Sequence, residues 1–197
     1  MSRGTIMESK PTNTQAFEPS VVGHVRELLR AIGEDPDREG LLDTPNRVAK
    51  SYKEIFGGYR QSIDDVLTTF ENEGYDEMVT LKDIEFYSTC EHHMLPFMGT
   101  AHISYIPGEK IVGLSKLART LDIYSKRLQV QERLTTQVAD ILFEKLNPKG
   151  VAVMLEAKHF CMLCRGARKQ NSKMITTALK GAYNKHEVRA EFLNSVK

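Results

Sequence analysis

The hydrophobic period of this chain changes near residue 79, and that change limits its fold more than any other feature. Upstream the period is helical. Val21, Val22, Val25, Leu28, Leu29 and Ile32 recur at helix spacing, and the two prolines and two glycines of GEDPDREGLLDTP stop the run. A second helix is expected from Thr44-Pro45, capped by the Thr44 hydroxyl. Val48, Tyr52, Ile55 and Phe56 form its apolar face and Gly57-Gly58 its end. A third, shorter helix is expected after Ser62, with Asp65 completing a capping box.

Downstream, Val79, Leu81, Ile84 and Phe86 alternate, as do Ala101, Ile103 and Tyr105, with Pro107-Gly108 as a turn before Ile111-Val112. Helical spacing returns from about Ser115 to Asn147 in two blocks. A strand follows in GVAVMLEAKHFC, then a looser one around Met174 to Tyr183, then a helix from about Lys185. The predicted order is three helices, β-β-α-α-β-β and a terminal helix: an α+β fold with an antiparallel sheet and helices on one face. The organisation expected is a disordered polar tail over 1–17, a helical region over 18–75 and a sheet-bearing domain over 76–197. So small a sheet leaves edges that another chain would pair, so an oligomer is expected.

Composition narrows the function classes. The 197 residues carry 27 Lys+Arg against 26 Asp+Glu, a net charge of +1, which argues against a dedicated nucleic-acid binder. No apolar window approaches the roughly 18 residues of a membrane span, and MSRGTIMESKPTNTQ lacks the apolar core of a signal peptide. A cytoplasmic location is expected. Three cysteines are too few for a disulfide framework, which turns attention to thiolate or metal chemistry.

Two clusters carry that chemistry. Cys90 and His93 stand in C-x2-H spacing within Cys90-Glu91-His92-His93, so one turn of chain presents both to a tetrahedral Zn²⁺. The second cluster, His159-Phe160-Cys161-Met162-Leu163-Cys164-Arg165, makes a closed C-x2-H plus C-x2-C zinc site one reading. Strand parity favours another. If the strand persists to residue 164, Cys161 faces the metal, His159 lies on the same face, and Cys164 turns away as a small buried hydrophobe. Cys90, His93 and Cys161 then leave a fourth position open, the pattern of a catalytic zinc. His92 and His159 become proton-shuttle candidates, against the alternative of a core histidine for His159.

Between the clusters, Ser115 is expected to cap a helix whose positive end favours phosphate. Lys116 and Arg119 lie in its first turns, and Arg165 and Arg168 add charge after the cysteines. A solvated helix face and a polyphosphate site are the two readings. Gln131 and Glu132 precede an apolar helical face. Glu132 either answers the helix macrodipole or accepts the paired donors of a guanine edge, and both readings stand.

In order and spacing, STCEHHMLPF, GLSKLAR, RLQVQERLT and HFCMLCRGARK resemble zinc-dependent GTP cyclohydrolase I over roughly residues 20 to 197. The resemblance implies a tunnelling fold, in which β-β-α-α-β-β units join into a barrel behind N-terminal helices, assembled as a toroidal homodecamer. It implies that GTP and water give formate and 7,8-dihydroneopterin triphosphate, at the start of folate or tetrahydrobiopterin synthesis. The implied zinc ligands are Cys90, His93 and Cys161, and the implied proton-transfer residues His92 and His159. Glu132, with Gln131 beside it, would anchor guanine; Ser115, Lys116, Arg119 and Arg165 would hold the triphosphate; Cys164 would not be a required ligand. Two rivals are a nitrile reductase with a cysteine nucleophile and NADPH, and a structural zinc module that only binds a nucleotide or partner.

Overall fold

In the computed structural model, which describes residues 17–197, the chain forms two compact units, one ending at Arg60 and one spanning Gln61–Lys197. The tail expected over 1–17 lies, apart from Phe17, outside the described residues.

The first unit pairs α1 (Phe17–Ala31) with α2 (Thr44–Ile55). The N-cap of α2 is Asp43, and Thr44 is already helical. Asp43 spends its side chain on Arg47 and Asn46 instead of a capping bond, which corrects the expected Thr44 cap. Pro45 sits in the first turn as expected and is buried, as is Ala49.

The second unit holds β1 (Thr69–Glu71), β2 (Val79–Cys90), β3 (Pro96–Ile106), β4 (Lys110–Val112), α3 (Leu114–Ser125) and β5 (Leu128–Gln129). It continues through α4 (Gln131–Leu146), β6 (Gly150–His159), α5 (Phe160–Leu163), β7 (Met174–Gly181) and α6 (His186–Ser195). The third helix expected after Ser62 is a single turn, closed by Val66 and Leu67 amides donating to the Ile63 carbonyl. The chain then enters β1, which pairs with β4 in a two-stranded sheet.

The main sheet runs β5-β2-β3-β6-β7, with β5 parallel to β2 and every other pair antiparallel. Alternate residues of its strands, among them Phe86, Phe97, Ile103, Val153 and Leu155, pack with Leu117 and Leu121 of α3 and Leu134, Val138 and Leu142 of α4. These helices cover one face, as the alternation predicted. On the other face Tyr183, Phe192 and Val196 cover Ala152, leaving Tyr87 and Ile175 exposed further along the sheet.

β2 carries one extra residue between Leu81 and Ile84 relative to β3, and Asp83 in that bulge has φ +59°. Its amide donates to Nδ1 of His102, which is 5% exposed. Burial pushes the His102 pKa down, Asp83 and Glu156 pull it up, and Lys82 adds to the lowering. The folded state therefore favours neutral His102, while the unfolded chain protonates near the ordinary value of about 6.5. This stability is present above that value and drains as pH falls through the folded pKa. Chemical unfolding should show a midpoint that drops below about pH 6.5, and His102→Gln should flatten that drop. An unchanged pH profile in His102→Gln would remove His102 from the account.

Candidate metal centre and its surroundings

Cys90 ends β2, and the chain then winds a tight turn in which the amides of His93 and Met94 both donate to the Cys90 carbonyl. Met94 closes the turn at φ +53°, and the Cys90 amide returns to Leu95 O at 2.8 Å. This winding brings His93 back over Cys90. Cys161 comes from the opposite direction, on the short helix α5 that follows β6. Ligand atoms of Cys90, His93 and Cys161 all lie within 4.8 Å of one another. A tetrahedral zinc with Zn–S of about 2.3 Å and Zn–N of about 2.0 Å needs ligand atoms roughly 3.6 to 3.8 Å apart, so modest side-chain rotation would close this group on one ion.

Burial, and then the adjacent Cys90 thiol, push the Cys161 thiol pKa up, while the Arg165 charge opposes the shift. Without a cation Cys161 is thus held as a thiol, and a divalent ion reverses that preference.

Cys164 lies outside the trio. It is exposed, and its thiol donates to the Phe160 carbonyl at 3.0 Å. The strand expected through Cys161, whose persistence to residue 164 is the condition for strand parity, stops at His159, so the helical turn, not strand parity, sets the positions of Cys161 and Cys164.

His159, the last residue of β6, stacks on Phe97 with ring centroids 4.6 Å apart and planes 3° from parallel. β-Pairing places them opposite each other. Its Nε2 lies 2.8 Å from Oε1 of Gln131. Gln131 is 1% exposed, and its amide nitrogen donates to the carbonyls of Leu155 and Met174 and to Thr176 Oγ1. Carbonyls only accept, so these bonds fix the amide orientation and leave Oε1 facing His159. His159 therefore carries its proton on Nε2 and keeps Nδ1 as its acceptor. The Gln131 side chain, expected beside Glu132 in the substrate site, is engaged within the protein. Burial lowers the His159 pKa, and the Glu132 charge opposes that shift.

Glu132 is exposed in the first turn of α4. His92 is exposed, its ring 6.3 Å from that of His93 and its Nδ1 4.0 Å from Cys90 Sγ. Ser115, Lys116 and Arg119 occupy the first two turns of α3, whose N-cap is Gly113, so Ser115 is the second helical residue and not the expected cap. Among the described residues, no hydrogen bond or ion pair joins these three to the metal trio. Arg165 is exposed beyond α5, in a loop that turns through positive φ at Gly166 and Arg168.

Neither Phe97 as the stacking partner of His159 nor the bridge between Arg133 and Glu91 is among the features expected from residue order. For Phe97 the signal was its place on a strand leading away from the first cluster.

The family model for GTP cyclohydrolase I matches residues 21–197, which include every residue of this site. The chain belongs to the GTP cyclohydrolase I family. It is 54% identical to "GTP cyclohydrolase 1" of Thermobifida fusca over 91% of this chain and 88% of that one. It is 57% identical to the protein of that name from Streptomyces avermitilis over 100% of this chain and 98% of that one. With the Deinococcus radiodurans "GTP cyclohydrolase 1" it shares 56% identity over 94% and 85% of the two chains. In this member of the GTP cyclohydrolase I family, nitrogen NMR of the histidine rings in the metal-free protein should show His159 with the proton on Nε2. Gln131→Ala should produce a tautomer mixture and lower stability by about 2 kcal/mol, since buried carbonyls lose their donor. An Nδ1-protonated His159 in the unmodified protein would contradict the assignment.

Proposed function

We propose that this protein is a hydrolase that opens the guanine ring of GTP at C8. With water, GTP gives formate and 7,8-dihydroneopterin triphosphate, the first step of folate- or tetrahydrobiopterin-type pterin synthesis. The observation that carries this reading is the convergence of Cys90, His93 and Cys161 in a chain of this family, with His159 ending the strand two residues before Cys161.

Three protein donors, two of them thiolates when metal is bound, suit one Zn²⁺ per chain with a fourth position open. Zinc held there supplies Lewis-acid activation of water near neutral pH. The rest of the reaction falls to side chains. Glu132 accepts the N1–H and exocyclic amine of guanine, a charged acceptor for two neighbouring donors, and the backbone of Gln131 lies beside it. Ser115, Lys116 and Arg119, at the positive end of α3, and Arg165 hold the triphosphate. His159 exchanges protons through Nδ1, because Nε2–H is committed to Gln131. His92, exposed beside the metal turn, is the second proton-transfer group.

The region from residue 76 onward is the proposed catalytic domain, with a tunnelling topology in which sheets of neighbouring chains join into a barrel. The assembly proposed is a homodecamer with sites shared between subunits. No helix among the described residues is long and apolar enough to cross a membrane.

Purified zinc-loaded protein given GTP should release formate and form a product that becomes fluorescent on oxidation. Glu132→Ala should lower kcat/KM about 100-fold, since guanine loses its charged acceptor. Bound zinc without formate release would favour a structural zinc module. Altered thermal stability with unchanged turnover would return Glu132 to the macrodipole.

A further inference from the structure

We propose that Arg133 is a positioning residue that locks the turn carrying Cys90 and His93 to the start of α4. The inference rests on the reading above for its catalytic consequence, but its effect on metal binding stands apart from GTP.

Glu91 lies inside the metal-ligand turn yet outside the trio that faces the metal position. Its carboxylate is engaged by the Arg133 guanidinium. The same guanidinium donates through Nε to Gln129 Oε1 at 3.0 Å and through Nη2 to the Leu128 carbonyl at 3.1 Å. Gln129 is itself pinned: it is 2% exposed, and its amide nitrogen donates to Tyr124 O and Gln137 Oε1, each at 2.9 Å. Arg133 is therefore fixed from its own side before it meets Glu91, so the pair does not depend on two floppy side chains finding each other.

The backbone adds to the argument. The turn leaves the sheet beside β5, a strand of two residues, and its further backbone tie to that strand is the Glu91 amide donating to Gln129 O at 3.0 Å. Through Arg133, that same edge is joined to α4. The start of α4 thus holds three things in one frame: His159 through Gln131, the Glu132 carboxylate, and the metal turn through Arg133 and Glu91. An exposed ion pair of this kind adds little to stability, so its consequence lies in orientation. Outer partners of metal ligands act in this way, by holding the ligands in their binding geometry.

The test uses the full-length protein and the variants Arg133→Ala, Arg133→Lys and Glu91→Gln. Zinc affinity is read by competition with a chromophoric chelator in the absence of GTP, kcat and KM are read at saturating zinc, and Tm is read on each. Arg133→Ala should weaken zinc binding about tenfold and lower kcat at least tenfold with KM changed less than about threefold, since guanine stays bound while the metal turn wanders. Its Tm should stay close to the starting value. Arg133→Lys should rescue in part, because an ammonium reaches one partner and not all three. Glu91→Gln should reproduce the zinc defect from the other side, and the double variant should be no worse than Arg133→Ala alone. Unchanged zinc affinity and kcat in Arg133→Ala, or additive defects in the double variant, would overturn the proposal. A parent protein that binds zinc and leaves GTP intact would defeat the functional reading alone, and the zinc series would still decide the clamp.

Discussion

The site depends on the pairing of β3 with β2 on one side and β6 on the other. Cys90 and Cys161 are far apart in sequence, and they meet because β3 carries one strand end to each. At that end of the sheet Ser88, Phe97 and His159 stand in one row across three strands. Close approach of β3 and β6 is required there: a Cβ at Gly99 would lie 1.8 Å from the Glu156 carbonyl. A side chain at this position would force the strands apart two residues from the row that seats His159 on Phe97.

On this frame, the polar organisation is concentrated at one helix start. Gln131 links β6 and β7 through carbonyls of Leu155 and Met174, and Thr135 reinforces the link through Thr176 at 2.6 Å. The Gln131 bonds have a chemical consequence as well as a structural one, because the amide orientation they enforce decides which nitrogen of His159 is free. Burial then keeps that imidazole neutral more readily than a solvated one, with Glu132 as the opposing influence. A neutral ring with one committed and one available nitrogen is suited to accepting a proton.

What the sequence revealed, and what it hid, follow from the range of the interactions involved. Periodicity identified β2, β3, β6 and β7, both covering helices and the terminal helix, because burial of one face writes itself directly into residue order; β1 and the two-residue β5, which makes the sheet five-stranded and mixed where four antiparallel strands were expected, are too short to leave a period. It overread Ser62 to Asp65, where a capping pattern has only one turn to cap before β1 begins. It also carried β6 two residues too far, since Phe160 and Cys161 continue the apolar pattern while the backbone turns into α5. Cys90 and His93 were visible as a pair because one turn joins them. The part played by Gln131 was hidden: its partners are carbonyls on two distant strands, and no local pattern announces a backbone acceptor. Arg133 was hidden for the same reason, as its link to Glu91 comes from the parallel pairing of β5 with β2.

The central claim is that three residues of this chain face the metal and that Cys164 is not among them. X-ray absorption at the zinc edge of the loaded protein tests it most directly. The account predicts two sulfur neighbours at about 2.3 Å and two lighter neighbours at about 2.0 Å. Three sulfurs and one nitrogen would contradict it, because Cys164 would then have left the Phe160 carbonyl to close the site.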